Sequence, residues 1–130
     1  MFPRLRSGQD ITVQYSGKTV IGLIERVTLK GPSGKKKTVL ARIDTGATKS
    51  SVDIRLAADL ELGPILRSTT VKSASGTGVR PIVQAHINIK GKQLSNGFTL
   101  ADRSHMKYPV LIGQDILIND FLIDPAKEAD

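Results

Sequence analysis

Cysteine and tryptophan are absent from this 130-residue chain, and the only aromatics are three phenylalanines and two tyrosines. Without cysteine there is no disulfide framework, no thiolate metal site and no cysteine nucleophile. So few aromatics leave the core to isoleucine, valine and leucine. The two histidines, His86 and His105, stand 19 positions apart, and no H-E-x-x-H occurs. Zinc catalysis therefore has little support, and no metal ligands are assigned. A phosphate-binding G-x-x-x-x-G-K-[ST] loop is also missing, so the expected chemistry needs no cofactor. No apolar run approaches the roughly 18 residues of a membrane-crossing helix. The opening stretch, Met1 to Asp10, lacks the apolar segment of a secretory signal. Together these absences point to a cytoplasmic, reducing address and no membrane partner.

Hydrophobic residues make up 39% of the chain and charged residues 24%, a globular composition. The length fits a single domain spanning residues 1–130. Lysine and arginine total 19 against 12 acids, a formal charge of +7. The densest basic patch, Lys35-Lys36-Lys37, follows the turn-like Gly31-Pro32-Ser33-Gly34 and reads as a solvated hairpin tip. Attraction to an acidic peptide or to nucleic acid is the alternative. Three lysines without interleaved aromatics are a poor signal for nucleic-acid recognition.

Periodicity favours strands. Thr19 to Leu29 is rich in β-branched and aliphatic residues, and Thr38 to Ile43 alternates with Val39, Ala41 and Ile43 on one face. Ser68 to Ser73 and Val79 to Ile89 flank Ala74-Ser75-Gly76-Thr77-Gly78, small residues suited to a mobile hairpin tip. A turn at Gly91-Lys92 leads into Gln93 to Leu100. Helical signals are confined to Asp53–Leu60, with Asp53 as N-cap and Gly63-Pro64 as the stop, and to a turn at Gln114–Leu117. The expectation is an all-β sandwich or barrel with one or two short helical turns.

Two segments carry chemistry. Ile43-Asp44-Thr45-Gly46-Ala47 ends a β-rich run in an acid, a small hydroxyl residue and a glycine. Val110-Leu111-Ile112-Gly113 is an aliphatic run ending in glycine about 70 residues later. Together with the intervening hairpin they resemble the retropepsin-like aspartic peptidases, from about Thr19 to Asp124. Within that family, Thr19 to Val27, Ala41 to Ser51 and Tyr108 to Gly113 look like the bacterial and archaeal branch long labelled an ATP-dependent zinc protease. Asp-Thr-Gly alone is also good turn chemistry, so Asp44 by itself would read as a capping acid.

The resemblance implies an acid-protease barrel with one half-site per chain. Peptide hydrolysis by this class uses two carboxylates sharing one proton, one activating water and the other protonating the carbonyl oxygen. One Asp-Thr-Gly supplies one acid, so a homodimer must supply the second. Asp44 is then the catalytic residue. By the resemblance, the Thr45 hydroxyl bonds across the dimer axis, the Gly46 amide approaches the carboxylate, and Ala47 lies near the substrate backbone. Ile112 and Gly113 support the loop. Residues 68–83 form the flap, with Ser73, Ala74, Ser75, Gly76, Thr77 and Gly78 over the peptide or protein substrate. Residues 119–124 are the candidate dimer strand, with an ordinary core or edge strand as the alternative. Residues 1–16 are left as a tail or an extra strand.

The chain departs from the family pattern at Gln114, where arginine or asparagine is usual, and at Lys49, where viral members carry an acid. The aliphatic residues usual at a flap tip are missing between Ala74 and Gly78. Asp115 is a rival acid but reads as the start of a helical turn, and Asp102, Ser104 and His105 form a polar loop. Some members of the similar branch are associated with a ligase that adds glutamates to a ribosomal protein. The +7 charge makes acidic or glutamate-rich peptides the expected substrates. The competing expectation is an inactive peptide-binding module in which Asp44 only shapes the turn.

Overall fold

The computed structural model describes residues 14–73 and 76–129. In chain order the elements are β1 (Gln14–Tyr15), β2 (Lys18–Ile21), β3 (Ile24–Lys30), β4 (Lys36–Ile43), β5 (Ser51–Asp53) and α1 (Ile54–Asp59). There follow β6 (Ile65–Ser73), β7 (Gly76–Ile89), β8 (Lys92–Ala101), β9 (Val110–Ile112), α2 (Gln114–Leu117) and β10 (Phe121–Ile123). The fold is all-β with two short helices, as the sequence suggests.

The large sheet runs β3-β4-β9-β5-β8-β7-β6, and an added β3–β7 pairing closes its first six strands into a barrel. Alternation decides what fills it. Val27 and Leu29 of β3, Ala41 and Ile43 of β4, and Ala85, Ile87 and Ile89 of β7 point inward and are buried. Phe98 of β8 and Val52 of β5 meet them in the same core. Each fully buried aliphatic side chain contributes roughly 1.5–3 kcal/mol relative to exposure. A small second sheet places β2 between β1, antiparallel, and β10, parallel.

Several boundaries differ from expectation. The run Thr19–Leu29 is two strands, broken at Gly22 where the chain passes from the small sheet to the barrel. A Cβ at Gly22 would lie 2.4 Å from the Lys127 carbonyl oxygen, so only glycine admits that crossing. Lys36 and Lys37 belong to β4, which leaves only Lys35 in the hairpin tip. The Gly31 amide donates to the Lys35 carbonyl and the Gly34 amide to that of Gly31. Gln14 and Tyr15 are strand and not tail, while residues 1–13 lie outside the described residues. The turn before β8 is Lys90-Gly91, both with positive φ, and Lys92 already begins the strand.

Asp53 does cap α1, accepting from the Arg55 amide at 3.1 Å. The helix ends before Gly63-Pro64, however. Glu61 takes φ +52°, its amide donates to the Ala58 carbonyl, and the Leu62 amide reaches that of Ala57. This paired closure ends the helix at Leu60, ahead of Gly63-Pro64.

One buried ion cluster ties the two sheets. Glu25 is fully buried in β3, and its Oε1 accepts from the Gly22 amide at 2.8 Å and from Lys127 Nζ at 2.9 Å. Lys90 Nζ lies 3.9 Å from Oε2, and both lysine side chains are almost fully covered. The segment after β10 is thereby clamped against β2 and β3, with the Asp124 amide donating to the Ile21 carbonyl.

Candidate active site

β4 and β9 run parallel, with Ile43 beside Ile112. At their ends the two segments named from sequence cross. The Asp44 amide donates to the Ile112 carbonyl at 2.9 Å, and the Ala47 amide donates to the Asp44 carbonyl at 3.3 Å, closing a tight turn. Inside that turn the Gly46 amide donates to Asp44 Oδ1 at 2.9 Å. The Asp44 carboxylate is half-buried, while Thr45 and Gly46 are exposed. A Cβ at Gly46 would meet only Asp44 Oδ1, at an ordinary 3.4 Å, so nothing in the chain's own packing demands glycine there. Among the described residues the Thr45 hydroxyl has no hydrogen-bond partner.

The loop is held from behind. The Gln114 amide donates to the Ala47 carbonyl at 2.8 Å, and the Gln114 side-chain amide to the Thr45 carbonyl at 2.7 Å. A Cβ on Gly113 would sit 2.8 Å from the carbonyl oxygens of both Ala47 and Lys49, so the crossing admits no side chain. Asp115 opens α2 and is occupied structurally. Its carboxylate accepts from the Ser50 amide at 3.1 Å, the Ser50 hydroxyl at 2.7 Å and Asn96 Nδ2 at 3.0 Å. Buried Ser50 in turn accepts from the Gly113 amide at 3.0 Å. Ser50 and Asn96 were not anticipated, because a serine four residues beyond an Asp-Thr-Gly and a strand asparagine carry no local signal.

Beside Thr45 lies an open groove of about 460 Å³, lined by Thr45, Gln114, Leu117, Ile118, Phe121 and neighbouring β10 residues. Ile118 is 80% exposed there. β10 pairs on one edge with β2 of its own chain, and among the described residues its other edge is unpaired.

The expected flap is the β6–β7 hairpin. Its register runs from Ile65 opposite Val83 to Ser73 opposite Gly76, which leaves a two-residue tip. Gly76, Thr77 and Gly78, expected in the turn, are strand, since the pairing continues through them. Ala74 and Ser75 lie outside the described residues.

Arg103 was likewise not anticipated. Its amide donates to Asp53 Oδ1 at 2.8 Å and its Nε to the Tyr108 carbonyl at 2.9 Å, which pins the loop leading into β9. Burial draws its guanidinium pKa downward, opposed by the charges of Asp53 and Asp44. Asp53 itself is held well below the usual carboxylate range, first by the Arg55 guanidinium and then by the Arg103 and Arg55 amides against the cost of burial. Asp102 accepts from the Ser104 amide at 2.9 Å in a local turn, and His86 and His105 are exposed. Among the described residues, no three His, Cys, Asp or Glu side chains converge to hold a metal ion.

A family model described as RimB-like, retropepsin-like aspartic endopeptidase RimB, matches residues 56–129, more than half of the chain. The chain belongs to the RimB-like family. The matched span contains β9, Gly113, Asp115 and the whole flap hairpin, and begins 12 residues after Asp44. No curated protein matches the chain. Among solved structures, the RimB-like chain is similar to the Legionella pneumophila protein Lpg0085, a protein of unknown function. They share 23% identity over 82% of this chain and 93% of that one, with a TM-score of 0.58. The protease of the virus EIAV, solved with an inhibitor, gives 17% identity over 90% and 93% and a TM-score of 0.60. The simian foamy virus protease gives 13% identity over 72% and 91% and a TM-score of 0.50. These likenesses establish a retropepsin-like fold.

Proposed function

We propose that this chain is an aspartic endopeptidase that works as a homodimer, each subunit contributing Asp44. The observation that carries the reading is the contrast within the crossing. The Thr45 and Ala47 carbonyls and the Gly113 amide behind the loop are engaged, while the Asp44 carboxylate keeps an open side and the exposed Thr45 borders an open apolar groove. A second copy related by a two-fold axis beside Thr45 would cover that groove and the free edge of β10. It would also bring the second Asp44 close to the first.

Two carboxylates a few ångströms apart do not both ionise readily, so the pair holds one proton. The ionised member takes a proton from water as its oxygen attacks the peptide carbonyl carbon. The other gives its proton to the carbonyl oxygen. The first carboxyl then passes the water's proton to the leaving nitrogen as the C–N bond breaks, and the second takes back a proton from the tetrahedral hydroxyl. Gly46 orients the carboxylate, Thr45 bonds across the axis, and Ala47 contacts the substrate backbone. Ile112 and Gly113 fix the loop, and the hairpin from residue 68 to 83, with Ser73 to Gly78 at its end, closes over an extended peptide. The reaction draws on no cofactor, and the whole chain acts as one domain.

Acidic peptides are the favoured substrates. Arg42, exposed on the outer side of β4 two residues before Asp44, and half-buried Arg103 and exposed Lys49 place positive charge around the loop. The begin-point of the family match, after Asp44, favours one other reading, an inactive peptide-binding module of the same fold.

Wild type and Asp44→Ala, incubated from about pH 4 to 7 with a denatured-protein digest, separate the two when new termini are read by mass spectrometry. Cuts made only by wild type, enriched beside acidic residues, are the expected result. Cuts by neither folded protein, together with retained peptide binding by Asp44→Ala, would establish the binding module. Ile118→Glu, measured by sedimentation, should leave a folded monomer that no longer cuts.

A further inference from the structure

The outer face of β4, β3, β7 and β8 carries an arrangement that peptide hydrolysis does not use. Lys36 lies directly opposite Lys30, Lys30 opposite His86, and His86 opposite Ser95. Neighbouring strands are about 4.8 Å apart, so three basic side chains emerge within about 10 Å of one another. The adjacent row, Thr38, Thr28, Asn88 and Gln93, is polar and uncharged. Within residues 24–30, 36–42, 84–88 and 93–97 the sole acid is Glu25, and it is buried on the opposite face.

Like charges directly opposite each other on a sheet destabilise it. Among the described residues neither Lys30 nor Lys36 forms an ion pair that would offset this. A groove of about 600 Å³ opens over these rows, lined by Lys30, Lys36, His86, Asn88, Gln93 and Ser95 among others. Cations kept together at a cost to stability, with hydroxyl and amide donors beside them, form a receptor for a hydrophilic anion. No Phe, Tyr or Trp side chain lines the groove, so its stacking surface for nucleic-acid bases is limited to the His86 imidazole. Residues 1–13 carry Arg4 and Arg6 against Asp10, so their net charge is positive like that of the groove.

We propose that this groove is an exosite for an acidic stretch of the substrate polypeptide, remote from the bond that is cut; this rests on the acidic-substrate reading above. Lys36 opens β4 and Asp44 follows its last residue, eight residues or about 26 Å along a straight strand. An extended peptide covers that distance in about eight residues. The exosite therefore selects substrates whose acidic run lies roughly that far from the cleavage point.

Fluorescein-labelled octaglutamate, followed by anisotropy on full-length Asp44→Asn, tests the site without requiring turnover. Adding Lys30→Gln and Lys36→Gln should weaken binding at least about tenfold, as expected for two lost charge-assisted contacts. The thermal midpoint should hold or rise, because the opposed pair of charges is gone. Unchanged binding overturns the proposal. So does a groove that takes inorganic polyphosphate and ignores octaglutamate. In the Asp44-containing enzyme, Lys30→Gln with Lys36→Gln should raise KM at constant kcat for peptides with a distant acidic run only. The two readings fail separately. A wild type that cuts nothing, while octaglutamate binding still depends on both lysines, sinks the peptidase and leaves the exosite. Efficient cutting of acidic peptides with equal octaglutamate affinity in the two backgrounds sinks the exosite alone.

Discussion

The two crossing segments each present an aspartate, and the two are treated in opposite ways. Asp44 receives one amide, from Gly46, and keeps an open side. Asp115, on the segment behind it, is saturated by the Ser50 amide and hydroxyl, by Asn96 and by the Ile116 amide. A carboxylate whose lone pairs are all engaged holds structure, whereas one held at a single oxygen keeps capacity for water and substrate. Residue type alone does not separate these two acids. Their donor sets do.

The largest expected effect is on turnover. Asp44→Asn should lower peptide cleavage by about 10³-fold or more while leaving the urea midpoint nearly unchanged, since only one exposed hydrogen bond is altered. A comparable loss of stability would place Asp44 in the same structural role as Asp115. Glu25 extends the contrast to a fully buried acid. Lys127→Met removes its nearest cation and should cost about 3 kcal/mol by urea unfolding, because the buried charge is left with only the more distant Lys90. Asp115→Ala leaves the Ser50 amide without its acceptor and Asn96 Nδ2 with only the Gly97 carbonyl, a loss of about 2 kcal/mol and a lower melting temperature. Cleavage should fall in proportion to folded protein and recover on cooling.

The smallest effect concerns Asp53. Its carboxyl lies below the usual range when folded, so its stabilisation is complete above the unfolded value and fades as pH falls from there through the lower folded one. Asp53→Asn should cost about 1 kcal/mol near neutral pH. It should lose less stability than wild type when the pH is lowered from 7 to 3. Equal losses in the two proteins would assign the acid sensitivity elsewhere.

Strand identity, the hairpins and the crossing of Asp44 with Gly113 were legible because each leaves a local trace: alternation, turn residues, or a motif. The break at Gly22 was not. It depends on the approach of Lys127, more than 100 residues away, and the continuous apolar run Thr19–Leu29 conceals it. Lys36 and Lys37 were assigned to a turn because charge was read as exposure at a tip, whereas strand pairing carries them onto a sheet face. Glu25 sits in an alternating strand at an inward position, where pattern alone demands an apolar residue. Its partners come from two other elements, so the exception is visible only in three dimensions.

The parallel seam between β2 and β10 also sets a timetable. Glu25 and Lys127 are separated by 102 residues, roughly 5–20 s of ribosomal synthesis. Until Lys127 emerges, Glu25 must remain hydrated and β2 must carry an open edge to which other strands can add. Closing so long a loop is slow. The nascent protein is therefore most vulnerable to mispairing in the interval before its second sheet can form.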